Sequence, residues 1–173
     1  MKEYKGKSYL REFTSNAQGE YVYTGDHYRL DGDVKKTNLS LSLLFCLSLL
    51  CVIGSGFVNA AGLSNTFYVI IPYVGEVASL FSLGWNTLRL VKSGARIRAY
   101  VYFAVKRRIP GSALSAVIFA LAGLLCSAVF MILNGTEGKP LLCGVYLAVK
   151  LITAGINIYD YMYSRSLRWI KNQ

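Results

Sequence analysis

The sequence predicts an all-α membrane protein: a four-helix transmembrane bundle of up-down topology with a short cytoplasmic N-terminal tail or β-hairpin. Three observations lead there. The 173-residue chain is 54% hydrophobic and 16% charged, with a mean hydropathy of +0.39, whereas a soluble domain carries about 25% charged residues. No Lys, Arg, Asp or Glu occurs between Lys36 and Glu76, or between Arg108 and Glu137. Both gaps exceed the roughly 20 residues that a helix needs to cross the hydrocarbon layer. Short segments, "NAAGLSN" and "NGTEGKP", then separate apolar stretches, and their Asn, Gly and Pro residues favour chain reversal.

Residues 1–38 form the expected cytoplasmic tail. They are mostly polar, so no secretory signal is expected, and neither end shows a lipidation pattern. "EYVYTGDHYRL" alternates Tyr21 and Tyr23 against Val22 and Thr24 before reaching Gly25-Asp26. That pattern predicts a β-hairpin over residues 20–30, to which "SYLREF", residues 8–13, could add a third strand. An isolated hairpin is marginal in water, so the segment either leans on the bundle, the loop or another protein, or stays disordered. The one histidine, His27, is expected to be solvated there.

The transmembrane domain is expected over residues 39–162, with spans at 39–58, 66–90, 111–133 and 141–162. Between the second and third lies a basic cytoplasmic loop, residues 92–108, and after the fourth a basic tail, residues 163–173. The loop reads either as an amphipathic helix in the headgroup region, with Ile97, Val101, Ala104 and Val105 on one side, or as a helical continuation of span two.

Orientation follows from the basic residues. Lys35 and Lys36 abut span one, and Lys92, Arg96, Arg98, Lys106, Arg107 and Arg108 fill the loop without an acid. Arg165, Arg168 and Lys171 follow span four, whereas the two short turns hold only Lys139. Both termini and the loop should therefore be cytoplasmic in a multi-pass cell-membrane protein. The net charge of +10 then points to the lipid bilayer and its anionic headgroups, worth about 1 kcal/mol per basic residue, and not to nucleic acid.

Two charges lie inside the spans. Glu76 is about 15 Å along span two from Thr66, and Lys150 about 14 Å along span four from Leu141. In a hydrocarbon layer of about 30 Å they share a depth, which predicts that they pair. Tyr73, Ser79 and Thr87 fall on the side of Glu76. Tyr146, Thr153, Asn157 and Tyr161 fall with Lys150, and Asp160 lies on the shoulder of that stripe. Polar stripes on apolar helices turn inward, and Ser48, Ser55 and Asn59 of span one share the phase. Asp160 is expected to find Arg89. Pro72 lacks an amide hydrogen and crowds the carbonyl of Tyr68, predicting a kink and a free carbonyl that, near a carboxylate, can hold a cation or water chain. The pair could equally fix helix register, Lys150 could contact a ligand, and Glu76 could remain protonated.

Cys46, Cys51, Cys126 and Cys143 have no metal-type spacing and read as small buried apolar residues. The spacings Gly111/Ser115, Ala116/Ala120 and Gly123/Ser127 favour close helix packing. No nucleophile–base set, metal motif or phosphate loop occurs, so neither enzyme activity nor a cofactor is expected. Asn134-Gly-Thr is formally a glycosylation acceptor but abuts the membrane.

"GEYVYTGDHYRL" followed by "FYVIIPYVGEV" resembles small, uncharacterised four-span bacterial membrane proteins. The resemblance covers the tail and the first two spans, implies a bacterial cytoplasmic membrane and brings no activity. Two functional readings follow. In one, the chain is a non-enzymatic accessory or scaffold subunit whose Tyr21, Tyr23, Tyr28, Tyr100, Tyr102, Arg107 and Arg108 hold a membrane-protein partner or anionic lipid. In the other, it is a small carrier or ion pathway built on Glu76, Lys150 and Pro72.

Overall fold

The computed structural model describes residues 13–15, 19–58, 62–94, 96–136 and 138–172. Four long helices dominate: α1 (Val34–Phe57), α2 (Phe67–Ser93), α3 (Ala99–Asn134) and α4 (Pro140–Ser166), each long and apolar enough to cross a membrane. Each packs on its neighbours in sequence, and α1 also packs on α4, which closes the bundle. Leu41, Val52, Leu80, Leu83, Val105, Ala113 and Ala116 fill the interior. Large apolar side chains also face outward, among them Leu50, Phe81, Leu125 and Ile132. Helices apolar on all sides are those that a nonpolar surround accommodates.

The helix ends have local causes. α1 starts at Val34, before the expected residue 39, because the Asp33 side chain accepts from the Lys35 and Lys36 amides; an N-cap of this kind satisfies otherwise free donors. α2 runs through Pro72 without interruption and stops at Gly94, whose φ of +68° is open to glycine at little cost.

The segment 92–108 is neither a separate surface helix nor, beyond Ser93, an extension of α2. After Gly94 the chain forms a short strand, β4 (Ile97–Arg98), and residues 99–108 belong to α3. Val101, Tyr102, Val105 and Ile109 are buried in line with Ala113, Ala116 and Ala120. One inward stripe therefore carries the helix through Pro110, where only one backbone hydrogen bond is lost. The resulting 36-residue helix is about 54 Å long, longer than the hydrocarbon thickness.

The expected hairpin over residues 20–30 does not form. β1 (Phe13–Ser15) pairs antiparallel with β2 (Tyr21–Tyr23), opposing Phe13 to Tyr23. β3 (His27–Leu30) is instead the central strand of a second sheet, between β4 and β5 (Trp169–Asn172). Both edges of β3 are thus taken by distant segments and none is left for β2. Residues 8–12 of the proposed third strand lie outside the described residues. The C-terminal segment, expected as a tail, supplies β5.

This sheet sits on the start of α3. Leu30 and Ile97 are buried, the Tyr28 ring stacks on Tyr102 at 3.9 Å, and Trp169 meets Tyr102 edge-on at 5.2 Å. The Ala99 amide donates to Asp26 O at 3.0 Å and the Asp31 amide to Arg168 O at 2.9 Å. His27 is half-buried and set edge-on to Tyr23 at 5.3 Å, not free in solvent.

Candidate functional site

Near the middle of α2 and α4, Lys150 Nζ donates to Glu76 Oε2 at 2.6 Å, and both side chains are 0% exposed. Burial of this kind demands a partner, because an isolated charge in a nonpolar interior is costly. The ammonium also lies 4.9 Å from the centre of the Tyr73 ring, a cation–π arrangement. A side chain added at Gly123 of α3 would come within 3.9 Å of Nζ and 3.6 Å of Pro72 Cβ. Three helices therefore surround the ammonium, and Pro72 packs against the same glycine of α3.

The other stripe residues divide into two kinds. Ser79, Ser127 and Thr153 donate to carbonyls of their own helices, at Gly75, Gly123 and Val149, which lets a hydroxyl sit inside an apolar bundle without another partner. Ser48 of α1 donates to Asn157 Oδ1 and so links α1 to α4. The Tyr146 hydroxyl lies 3.5 Å from Ser127 Oγ, and the Tyr73 hydroxyl 3.4 Å from Val52 O, both at the long limit of hydrogen bonding. By contrast, Glu76 Oε1, Thr87 Oγ1, Asn157 Nδ2 and Asp160 Oδ1 are buried without a partner among the described residues. Asn86 falls outside the phase of Glu76, so helical periodicity gave no signal for it, yet it is buried with its Oδ1 equally unmet among those residues.

Arg89 does not answer Asp160. Arg89 is exposed, Asp160 is 2% exposed, and among the described residues the ion pairs are Glu76–Lys150 and Asp26–Lys171. The facing that the sequence suggested fails because Arg89 points to the outside of α2. Tyr161 accepts from Arg165 on its own helix. Asn59 lies outside the described residues.

Beside the pair is a cavity of about 420 Å³. Ile53, Ser55 and Phe57 of α1, Ile70, Tyr73 and Val74 of α2, and Tyr146 of α4 contribute to its wall. Tyr73 is shared: its ring lies against Lys150 and it also lines the cavity. Close packing permits this, since a Cβ on Gly56 would stand 2.5 Å from the Tyr73 hydroxyl.

Lys35, Lys36, Lys92, Arg96, Arg98, Lys106, Arg107 and Arg108 are all exposed. Arg98 lies over Tyr23 at 5.6 Å, and Lys106 donates to the Tyr102 hydroxyl at 2.8 Å. The four cysteines are unpaired; only Cys143 is fully buried and Cys46 is exposed, so burial as small core residues holds for one of them. Among the described residues no three His, Cys, Asp or Glu side chains group as a metal site. No protein-family model, curated protein or solved structure matches the chain.

Proposed function

We propose that this is a four-span protein of the bacterial cytoplasmic membrane. In this reading it serves as a non-enzymatic accessory or scaffold subunit that presents a folded basic cap to anionic lipid and a membrane-protein partner. The observation that carries the reading is the β4–β3–β5 sheet. β3 precedes α1, β4 joins α2 to α3, and β5 follows α4, so the sheet gathers four helix ends at one end of the bundle. That supports up-down topology and a single basic side, as the distribution of Lys and Arg requires. Exposed cations at the ends of α1, α2, α3 and α4 then ring the bundle at headgroup depth. The sealed Glu76–Lys150 pair serves here to fix the register of α2 against α4.

Copurification from native membranes in mild detergent, followed by native mass spectrometry, tests this. Retained anionic phospholipid or a stoichiometric partner is expected, and Arg107→Glu with Arg108→Glu should release it. Recovery of the wild-type chain alone, monodisperse and free of lipid overturns the reading.

A second reading, a small carrier or ion pathway, is favoured by the unpartnered interior atoms. Glu76 Oε1, Asn157 Nδ2 and Asp160 Oδ1 are spread along the bundle, with Asn157 about 10 Å and Asp160 about 15 Å along α4 from Lys150. Such groups are commonly met by water or ions. Proton or sodium flux into proteoliposomes should vanish in Glu76→Gln; flux that is absent in the wild type, or unchanged in the variant, removes this reading.

A further inference from the structure

The cavity beside Tyr73 has two unlike walls. Its inner wall carries three hydroxyls, from the buried Ser55 and Tyr146 and the half-buried Tyr73, whereas its rim is exposed and apolar: Ile53 is 43%, Phe57 84% and Val74 56% exposed. A volume of about 420 Å³ lies within the roughly 300–1,000 Å³ usual for small-molecule sites. In a membrane that rim faces acyl chains, so whatever enters comes from the lipid phase.

The hydroxyls narrow the chemistry. Ser55 already donates to Val52 O at 2.7 Å, and Tyr73 reaches the same oxygen only at 3.4 Å. Tyr146 lies 3.5 Å from the hydroxyl of Ser127, which itself donates to Gly123 O at 2.7 Å. Two phenols on two helices thus hold their protons with poor acceptors or none among the described residues, and both face one space. The charges behind Tyr73 neutralise each other, so nothing there demands a charged ligand, and a carboxylate would add a second anion beside Glu76.

We propose that this cavity binds a neutral, single-chain lipid with a carbonyl or hydroxyl head. The head accepts from Tyr73 and Tyr146, and the chain leaves between α1 and α2. Tyr73 is then both a ligand contact and the partition between the ligand and the Glu76–Lys150 pair. The proposal depends on the membrane reading for the ligand's route and is independent of the basic cap.

The test uses the full chain in phosphatidylcholine nanodiscs with a diazirine-bearing monoacylglycerol, and photolabelled residues are mapped by mass spectrometry. Labelling should concentrate on Ile53, Phe57, Ile70 and Val74 over Leu43, Leu125 and Leu151, which are exposed apolar residues outside the cavity, and unlabelled monoacylglycerol should compete it away. Tyr73→Phe and Tyr146→Phe, which keep the rings, should each weaken competition about fivefold, the effect of one hydrogen bond. Gly56→Ala, which displaces the Tyr73 hydroxyl, should reduce labelling in the same way. Uniform, uncompeted labelling of folded protein in discs, or labelling indifferent to both phenol variants, overturns the site alone. Stronger competition by an ionised fatty acid overturns the neutral head. A chain that remains water-soluble and outside the discs overturns both this site and the membrane reading.

Discussion

Glu76 Oε2 on α2 and Lys150 Nζ on α4 stand 2.6 Å apart, and neither side chain has any exposed surface. In the ring of neighbouring helices these two belong to non-adjacent members, so the contact spans the centre of the bundle. Lysine suits this role because four methylenes carry the charge across while packing against apolar neighbours. The Tyr73 ring and α3 at Gly123 complete its surroundings.

Removing one partner should cost more than removing both. Glu76→Ala leaves a buried ammonium uncompensated, a loss of about 3–5 kcal/mol, whereas Glu76→Ala with Lys150→Met leaves an apolar interior. Thermal melts of the two single variants and the double variant in detergent decide it. Losses that simply add would show that the two side chains do not interact.

Glycines at two kinds of position should respond in opposite ways. A Cβ on Gly84 would stand 2.5 Å from the Phe45 ring, so Gly84→Ala should destabilise by about 1–3 kcal/mol, and Phe45→Leu should relieve much of it. Gly144 lies in α4 with open space around its would-be Cβ. Gly144→Ala should therefore be neutral or stabilise by about 0.5–1 kcal/mol. The same melts distinguish these outcomes.

Tyr102 holds the cap to the bundle, since it stacks on Tyr28, meets Trp169 and accepts from Lys106. Tyr102→Ala should speed amide hydrogen exchange in β3 and β5 by at least about tenfold, the equivalent of about 1.4 kcal/mol. Protection around Glu76 should be unchanged. Equal loss of protection in both regions would mean that cap and bundle open together.

Lys171 and Asp26 meet at 2.8 Å on the exposed side of β5. The hydrogen bond to Asp26, and then that carboxylate's charge, hold the Lys171 ammonium above the ordinary lysine value of 10.5. A raised pKa of this kind gives a contribution complete below the unfolded value and lost as pH climbs through the folded one. Exchange in β5, corrected for intrinsic rate, should thus be flat from about pH 6 to 9 and rise above about 10.5. The pair is exposed, so the step is small and fades in high salt. Lys171→Gln should remove it.

What could be read from the sequence was whatever depended on one helix at a time. Long apolar runs located four helices, and residue rise along two of them placed Glu76 opposite Lys150. Pairings between remote segments were not readable. Gly25-Asp26 suggested a local hairpin, whereas β3 found its partners about 70 and 140 residues further on. Alternation marks a strand without naming its neighbour. Pro110 and the adjacent basic run hid the first turns of α3, because a proline and three cations resemble a boundary, while burial of Val101, Tyr102 and Val105 carried the helix through it. Asp160 and Arg89 failed for a related reason: equal depth says nothing about which way a side chain points.

The central position of β3 also sets an order of assembly. This strand leaves the ribosome before any of the long helices, yet its partners emerge only after the second helix and after the fourth. One edge must wait until all four helices have been translated. Closure of the sheet therefore follows synthesis of all four helices, as a clasp that shuts only around a completed set. A nascent chain stalled at Ser166 should leave residues 27–30 open to protease, while the released chain protects them.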